Sequence, residues 1–314
     1  MKSFAFLFPG QGSQKVGMGK DLYERFDAAR EIFAMADALA GLPVTRLCFE
    51  GPMAELTETI NLQPAITAVN LATAAVLLKN GIAPAITAGH SLGEYSALCT
   101  AGVISPEDTF RLVTLRGQLM HREAVACSGA MQAIIGLDIA QVSDIVAAAG
   151  ASGIVSVANH NTPSQIIITG ETAAVNDAAA RAKSAGARAI PLKVSGPWHS
   201  QLMAQAQADF AAALDRVDFC DARCPVAMNA TASMESNGAA IKSIMARQLC
   251  SPVRWTDAMA AALGAGVDGF AEIGPGNVLS NMLKKGIFSE DAIFPVVAVN
   301  TADALSAFLV SAAA

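Results

Sequence analysis

Apolar and polar positions along the chain set up two alternating kinds of segment. Short β-rich runs, 4–8 (FAFLF) and 85–88 (AITA), are followed by longer alanine-rich helical runs at 64–78 and 92–101. Strand-then-helix alternation predicts an α/β fold, a parallel sheet flanked by helices. The middle third changes order: strand 131–137, helix 139–149, strands 154–159 and 165–170, helix 172–185 and strand 187–194. That is βαββαβ, the ferredoxin-like pattern. The expected organisation is a main α/β core of residues 1–126 and 195–314, interrupted by a smaller ferredoxin-like subdomain over 127–194. The tail returns to strand and helix, with strands at 269–273 and 294–299 and a last helix at 302–311.

Composition tests that picture for membrane segments. Hydrophobic residues make up 53% of the 314 and charged residues 15%, with a mean hydropathy of +0.42. The most apolar stretch, 65–78, is interrupted by Thr67, Asn70 and Thr73. It is shorter than the roughly 20 apolar residues a spanning helix needs, so it reads as a buried helix. The N-terminal apolar run is cut by Pro9-Gly10-Gln11-Gly12, far short of a signal-peptide core, which leaves a first β-strand and an expected cytoplasmic location. Six cysteines lie apart with no C-x-x-C pair and no histidines at zinc-ligand spacing, so they read as core thiols and no metal site is expected. The net charge of −6 and the lack of a basic run disfavour nucleic acid as a partner.

Chemistry enters at Gly89-His90-Ser91-Leu92-Gly93, which leaves a strand and opens a helix. G-x-S-x-G in that setting is a nucleophile elbow: the glycines permit the tight turn that presents Ser91 Oγ, and the backbone N–H of Leu92 can stabilise a negative oxygen. A Gly-rich strand exit without catalytic meaning is the plainer alternative. A serine hydroxyl needs a base, and four histidines are available. His90 adjoins the serine, His121 sits in a helical stretch and His160 at a strand end of the small subdomain. His199, on a Gly-Pro loop where the chain re-enters the main core, is the best placed; a helix-capping surface histidine is its bland reading. Arg116, flanked by Leu112, Val113, Leu115 and Leu119, should be partly buried and so needs an anionic partner. Glu94, Glu107 or Glu123 could serve internally; otherwise the guanidinium is placed to grip a substrate carboxylate with two parallel hydrogen bonds. The glycine-rich exit after the first strand lacks a P-loop ending, which makes the N–H of Gln11 a candidate second oxyanion donor rather than part of a nucleotide site.

Together, Phe8-Pro-Gly-Gln-Gly-Ser-Gln14, Gln63-Pro64-Ala65, Gly89-His-Ser-Leu-Gly-Glu94, Arg116-Gly117, Val194-Ser-Gly-Pro-Trp-His-Ser200, Gln248-Leu249 with Pro252-Val253-Arg254-Trp255, and Glu272-Ile-Gly-Pro-Gly276 resemble the malonyl-CoA:acyl-carrier-protein transacylases, relatives of the acyltransferase domains of fatty acid and polyketide synthases. The resemblance covers nearly the whole chain. It implies a hydrolase-like α/β core with a ferredoxin-like insertion, and ping-pong chemistry through malonyl-Ser91 with His199 as proton shuttle. It implies further that the N–H groups of Gln11 and Leu92 hold the oxyanion and that Arg116 clamps the malonyl carboxylate. The histidine would be oriented by a backbone carbonyl, at the position Gln248 occupies. Gln63, His90, Trp198 and Asn159 are candidate pocket residues.

Malonyl-selective relatives commonly carry Ala-Phe before the histidine, where this chain has Pro197-Trp198. A bulky aromatic still crowds an α-methyl branch, so malonyl remains the expected acyl group. The implied partners are malonyl-CoA and an acidic acyl carrier protein, the latter met by Arg181, Lys183, Arg188 and Lys193, which are otherwise ordinary solvated charges. A monomer with no bound cofactor is the family expectation. Two rivals remain: a serine esterase or thioesterase, which uses the same elbow and Ser-His pair, and a noncatalytic subunit that docks a carrier protein.

Overall fold

Residues Phe4–Phe8 form β1, and all five are buried. Side chains alternate across a strand, so Phe4, Phe6 and Phe8 enter one apolar cluster and Ala5 and Leu7 enter another on the opposite face. A strand covered on both faces reads as a continuous apolar run, as this one does. The structure, a computed structural model, describes residues 2–288 and 294–313.

The remaining strands are β2 (Ile86–Gly89), β3 (Gly129–Ile135), β4 (Val155–Thr162), β5 (Gln165–Glu171), β6 (Arg188–Pro191), β7 (Val226–Ala227), β8 (Met234–Glu235), β9 (Gly269–Ile273) and β10 (Val296–Val299). They form a six-stranded sheet in the order β10-β9-β1-β2-β7-β8 and a four-stranded sheet in the order β4-β5-β3-β6. In the large sheet every pairing is parallel except β7 with β8, and helices cover both faces, so the fold is α/β. The small sheet is antiparallel throughout. Helices Ile139–Ala149 and Thr172–Ser184 cover its apolar face, where Ile134, Ile166, Ile168, Val175 and Ala178 form a separate cluster.

Several boundaries differ from the sequence reading. The helix expected over 64–78 is Thr59–Lys79, with Pro64 inside it. At 21 residues it is long and apolar enough to cross a membrane by length and composition, yet 89% of the tested window is buried inside the protein, which makes it a core helix. The strands β7 and β8, two residues each, are too short for a period-two pattern to reveal. The cysteines are not uniformly core thiols, since Cys48 is buried and Cys220 exposed.

The arrangement of β1 and β2 positions the site. They pair in parallel with Phe8 opposite Gly89, so the loop leaving β1 and the turn leaving β2 emerge side by side. Carboxyl ends of parallel strands are where open α/β sheets hold ligands. A third contributor is helix Pro106–Ala126, started by Ser105 accepting from the Asp108 N–H, with Pro106 in its first turn and Glu107 and Asp108 at its positive end. It packs closely on the Thr59–Lys79 helix: a Cβ on Gly117 would lie 3.0 Å from the Thr59 carbonyl oxygen. That close approach brings Arg116 beside Gln63.

Candidate active site

The turn after β2 is built by sterics. A Cβ on Gly89 would sit 2.0 Å from Gly93, and one on Gly93 would sit 1.9 Å from the Phe8 carbonyl oxygen. Both positions therefore require glycine if the helix Gly93–Thr100 is to start against β1. Ser91 lies between them at φ 51°, a left-handed conformation that costs a non-glycine residue about 1–2 kcal/mol. Two hydrogen bonds hold that turn from outside: Ser91 N–H donates to Asn229 Oδ1 at 2.7 Å, and Asn229 Nδ2 donates to the Gly89 carbonyl at 2.7 Å.

Ser91 Oγ is 2.7 Å from His199 Nε2. On the other side of the ring, His199 Nδ1 faces two backbone carbonyls, Ser251 at 2.9 Å and Gln248 at 3.3 Å. Carbonyls only accept, so Nδ1 carries the proton and Nε2 is free to take one from Ser91. The Gln248 carbonyl is thus in place as expected, and the Ser251 carbonyl, which the sequence did not reveal, makes the shorter contact. Burial and then the nearby Arg116 charge push the His199 pKa down to about 3, so the ring is neutral across the working range.

Arg116 is 2% exposed and has no carboxylate in contact among the described residues. Glu123 pairs with Arg122 instead. Arg116 uses Nη1 on Gln63 Oε1 (3.0 Å), Nε on Gln248 Oε1 (3.3 Å) and Nη2 on Ser91 Oγ (3.3 Å). Burial lowers its pKa, and the neighbouring Tyr95 and Glu94 work against that. A guanidinium has five N–H donors, so this one keeps donors in reserve beside the nucleophile.

These groups line one cavity of about 230 Å³ between the two sheets, with Gln11, Leu92, Gln63, His90, Trp198 and Asn159 also on its wall. A Cβ on Gly10 would lie 2.5 Å from the His90 carbonyl oxygen and 3.5 Å from Leu92 N, so glycine lets the β1 exit approach the elbow and places the Gln11 and Leu92 amides on adjoining loops. His90 is turned aside to Asn161 Oδ1, 2.8 Å away. His121 and His160 are not among the cavity residues. Of the four basic candidates, all exposed, Arg181 pairs with Asp177, while Lys193 stands between Leu192 and Val194, both on the cavity wall.

Two contributors escaped the sequence reading, and a third was weighed in another role. Ser251 acts through its backbone and Asn229 follows a two-residue strand, so neither has a motif. Glu94, fully buried, was read only as an internal partner for Arg116.

Residues 5–313 match the family described as acyl transferase domain. A malonyl CoA-acyl carrier protein transacylase of Bacillus subtilis is 46% identical over 289 residues, covering 91% of this chain and 90% of the relative. An acyl carrier protein S-malonyltransferase from Vibrio cholerae superposes with a TM-score of 0.92 at 41% identity, covering 97% of this chain and 99% of that one. A malonyl-transacylase solved in complex with a type II PKS acyl-carrier protein does so with a TM-score of 0.93 at 40% identity, covering 98% and 99%. Matched by the family over residues 5–313 and aligned with these proteins over nearly its full length, this chain belongs to the acyl transferase domain family.

Proposed function

We propose that this protein transfers a malonyl group from malonyl-CoA to the phosphopantetheine thiol of an acyl carrier protein through an ester on Ser91. The observation that carries the reading is that Ser91 Oγ touches both His199 Nε2 and Arg116 Nη2 in one cleft: nucleophile, base and carboxylate receptor converge. The names of the relatives point to the same donor and acceptor.

In the first half-reaction Ser91 Oγ attacks the thioester carbonyl while Nε2 of His199 takes the hydroxyl proton. The tetrahedral oxyanion lies toward the N–H groups of Gln11 and Leu92, and His199 returns the proton to the departing thiolate of coenzyme A. In the second, the carrier thiol gives its proton to His199 and attacks the ester, and Ser91 leaves as the hydroxyl. Arg116 grips the free carboxylate throughout. Because the Arg116 charge is one cause of the depressed His199 pKa, a bound carboxylate offsets it and strengthens the base when the substrate is in place. An esterase needs no such guanidinium in its acyl pocket, and a docking subunit needs neither Ser91 nor His199. Trp198 and Asn159 shape the acyl pocket, and the enzyme works as a cytoplasmic monomer without a bound cofactor.

Mixing the protein with malonyl-CoA and measuring its intact mass tests the reading: one malonyl adduct should form, map to the Ser91 peptide, and disappear when holo carrier protein is added. An adduct lost to water at the same rate with and without carrier would favour the esterase. No adduct would favour the docking subunit. The carrier, an acidic protein, meets the exposed basic candidates, of which Lys193 is flanked in sequence by two residues of the cavity wall, Leu192 and Val194. Lys193→Glu should raise the KM for carrier protein about 5- to 20-fold, a cost of about 1–2 kcal/mol at a rim charge, with the rate of malonyl-CoA loading unchanged. Both constants are separable in a ping-pong assay.

A further inference from the structure

The site contains a second buried charge that the transfer chemistry does not use. Glu94 is fully buried, in the first turn of the helix that follows the elbow. Its two oxygens are both occupied: Oε1 accepts from the Asn229 N–H at 2.8 Å and Oε2 from Gln248 Nε2 at 2.6 Å. Asn229 is the residue whose side chain ties Ser91 N–H to the Gly89 carbonyl. Gln248 Nε2 also donates to the Ser91 carbonyl at 3.1 Å, its Oε1 accepts from Arg116 Nε and from Tyr95 Oη, and its backbone oxygen faces His199 Nδ1. A carboxylate that never reaches the cavity wall thus connects, through two amides, to the nucleophile, the base and the clamp.

A buried carboxylate and a buried guanidinium in one core would ordinarily pair directly, because each alone is expensive to desolvate. Here the Gln248 amide stands between them. A direct pair would occupy the fork of Arg116 and rotate it toward Glu94. The interposed amide passes the attraction on through one hydrogen bond to Nε and leaves the Nη edge facing Gln63 and Ser91. The direction of that amide is set by Glu94: a carboxylate accepts only, so Nε2 must point to it and Oε1 must point to Arg116. We infer that Glu94 is a positioning residue for both substrate charge and nucleophile, fixing the Gln248 amide so that Arg116 presents its fork to the acyl carboxylate and locking Asn229 so that Ser91 keeps its turn. This rests on the transfer reading above and specifies what makes the site selective for a charged acyl group.

Glu94→Gln changes one atom's character and almost no volume. Its amide can accept from Asn229 only by turning its own NH₂ toward Gln248 Nε2, a donor against a donor. Gln248 then reverses and presents NH₂ to Arg116 and Tyr95. Misplacement of about 1 Å from outside the reacting groups can cost about 100-fold. Single-turnover malonyl loading should therefore fall about 30-fold, with acetyl loading reduced at most about 3-fold, so that the malonyl-to-acetyl ratio drops about 10-fold. Loss of folded protein alone would lower both donors equally and leave the ratio intact.

The wild type offers an independent measurement. Desolvation pushes the Glu94 pKa up to about 7. The titratable groups facing it are Arg116 on the packed helix and Tyr95 on its own helix; Asn229 and Gln248 complete its contacts and do not titrate. As pH falls through that value Glu94 gains a proton, becomes a donor at one oxygen, and loses one of its two acceptor contacts. The malonyl-to-acetyl ratio of the wild type should decline as pH is lowered through this range, while Glu94→Gln gives a low, flat ratio. An unchanged ratio in Glu94→Gln, or a wild-type ratio that stays flat from one unit above to one unit below the Glu94 pKa, overturns the inference alone. A wild type that forms no malonyl adduct overturns it together with the transfer reading.

Discussion

Arg116→Ala lowers malonyl loading by about 100- to 1,000-fold while acetyl loading holds or rises, because a desolvated charge pair of this kind is worth about 3–4 kcal/mol when one partner is deleted. The two donors diverge for two reasons. Removing the guanidinium deletes the contact that only the malonyl carboxylate makes. It also removes one of the charges that depress His199, so the base becomes stronger for an acyl group that brings no carboxylate of its own. Loading of each donor by rapid-quench intact-mass measurement reads both effects together. Equal loss with both donors would sink the clamp.

His199→Asn should cost more, about 10,000-fold in acylation rate, the usual loss when the base of a Ser-His pair is deleted and the oxyanion donors remain. Asparagine is the informative replacement. His199 sits at φ 60°, where alanine would add backbone strain and asparagine fits, so the loss reports proton transfer rather than a shifted loop. The variant should also be less sensitive to acid. A buried histidine held at about 3, against 6.5 in the unfolded chain, gives the folded state fewer bound protons than the unfolded state between those values. Its contribution to stability is therefore present above 6.5 and is lost as pH falls toward 3. Melting curves across that interval should fall less steeply for His199→Asn than for the wild type. A rate within about tenfold of wild type would remove His199 from the mechanism.

The parts of this site that could be read from sequence are those where a local backbone demand selects the residue. Gly89 and Gly93 are legible because a Cβ at either position would run into neighbouring backbone, of the turn itself or of β1, and β1 is legible because a strand buried on both faces has no room for polar side chains. Arg116 announced itself as a cation among leucines. Its neutral surroundings did not, because Gln63 and Gln248 lie 53 and 132 positions away and no spacing rule links them. Glu94 was visible as a candidate ion-pair partner, and the structure replaces that role with a relay through an amide. Asn229 was invisible: it follows a strand too short to show a period, and its importance lies in reaching back to the elbow. The start of the Thr59–Lys79 helix was misplaced for a similar reason, since Pro64 marks a boundary in isolation and here tertiary packing carries the helix past it.

The imidazole of His199 is steered by peptide oxygens of residues 248 and 251. A carboxylate in that place could be erased by a single nucleotide change, whereas a main-chain carbonyl survives any replacement of the side chain it belongs to. Ser251 can therefore drift freely as far as this contact is concerned, and the vulnerability moves to whatever alters the path of the chain there, such as an insertion or the loss of Pro252. The base is guarded by the shape of a loop, and its inheritance follows length and curvature rather than spelling.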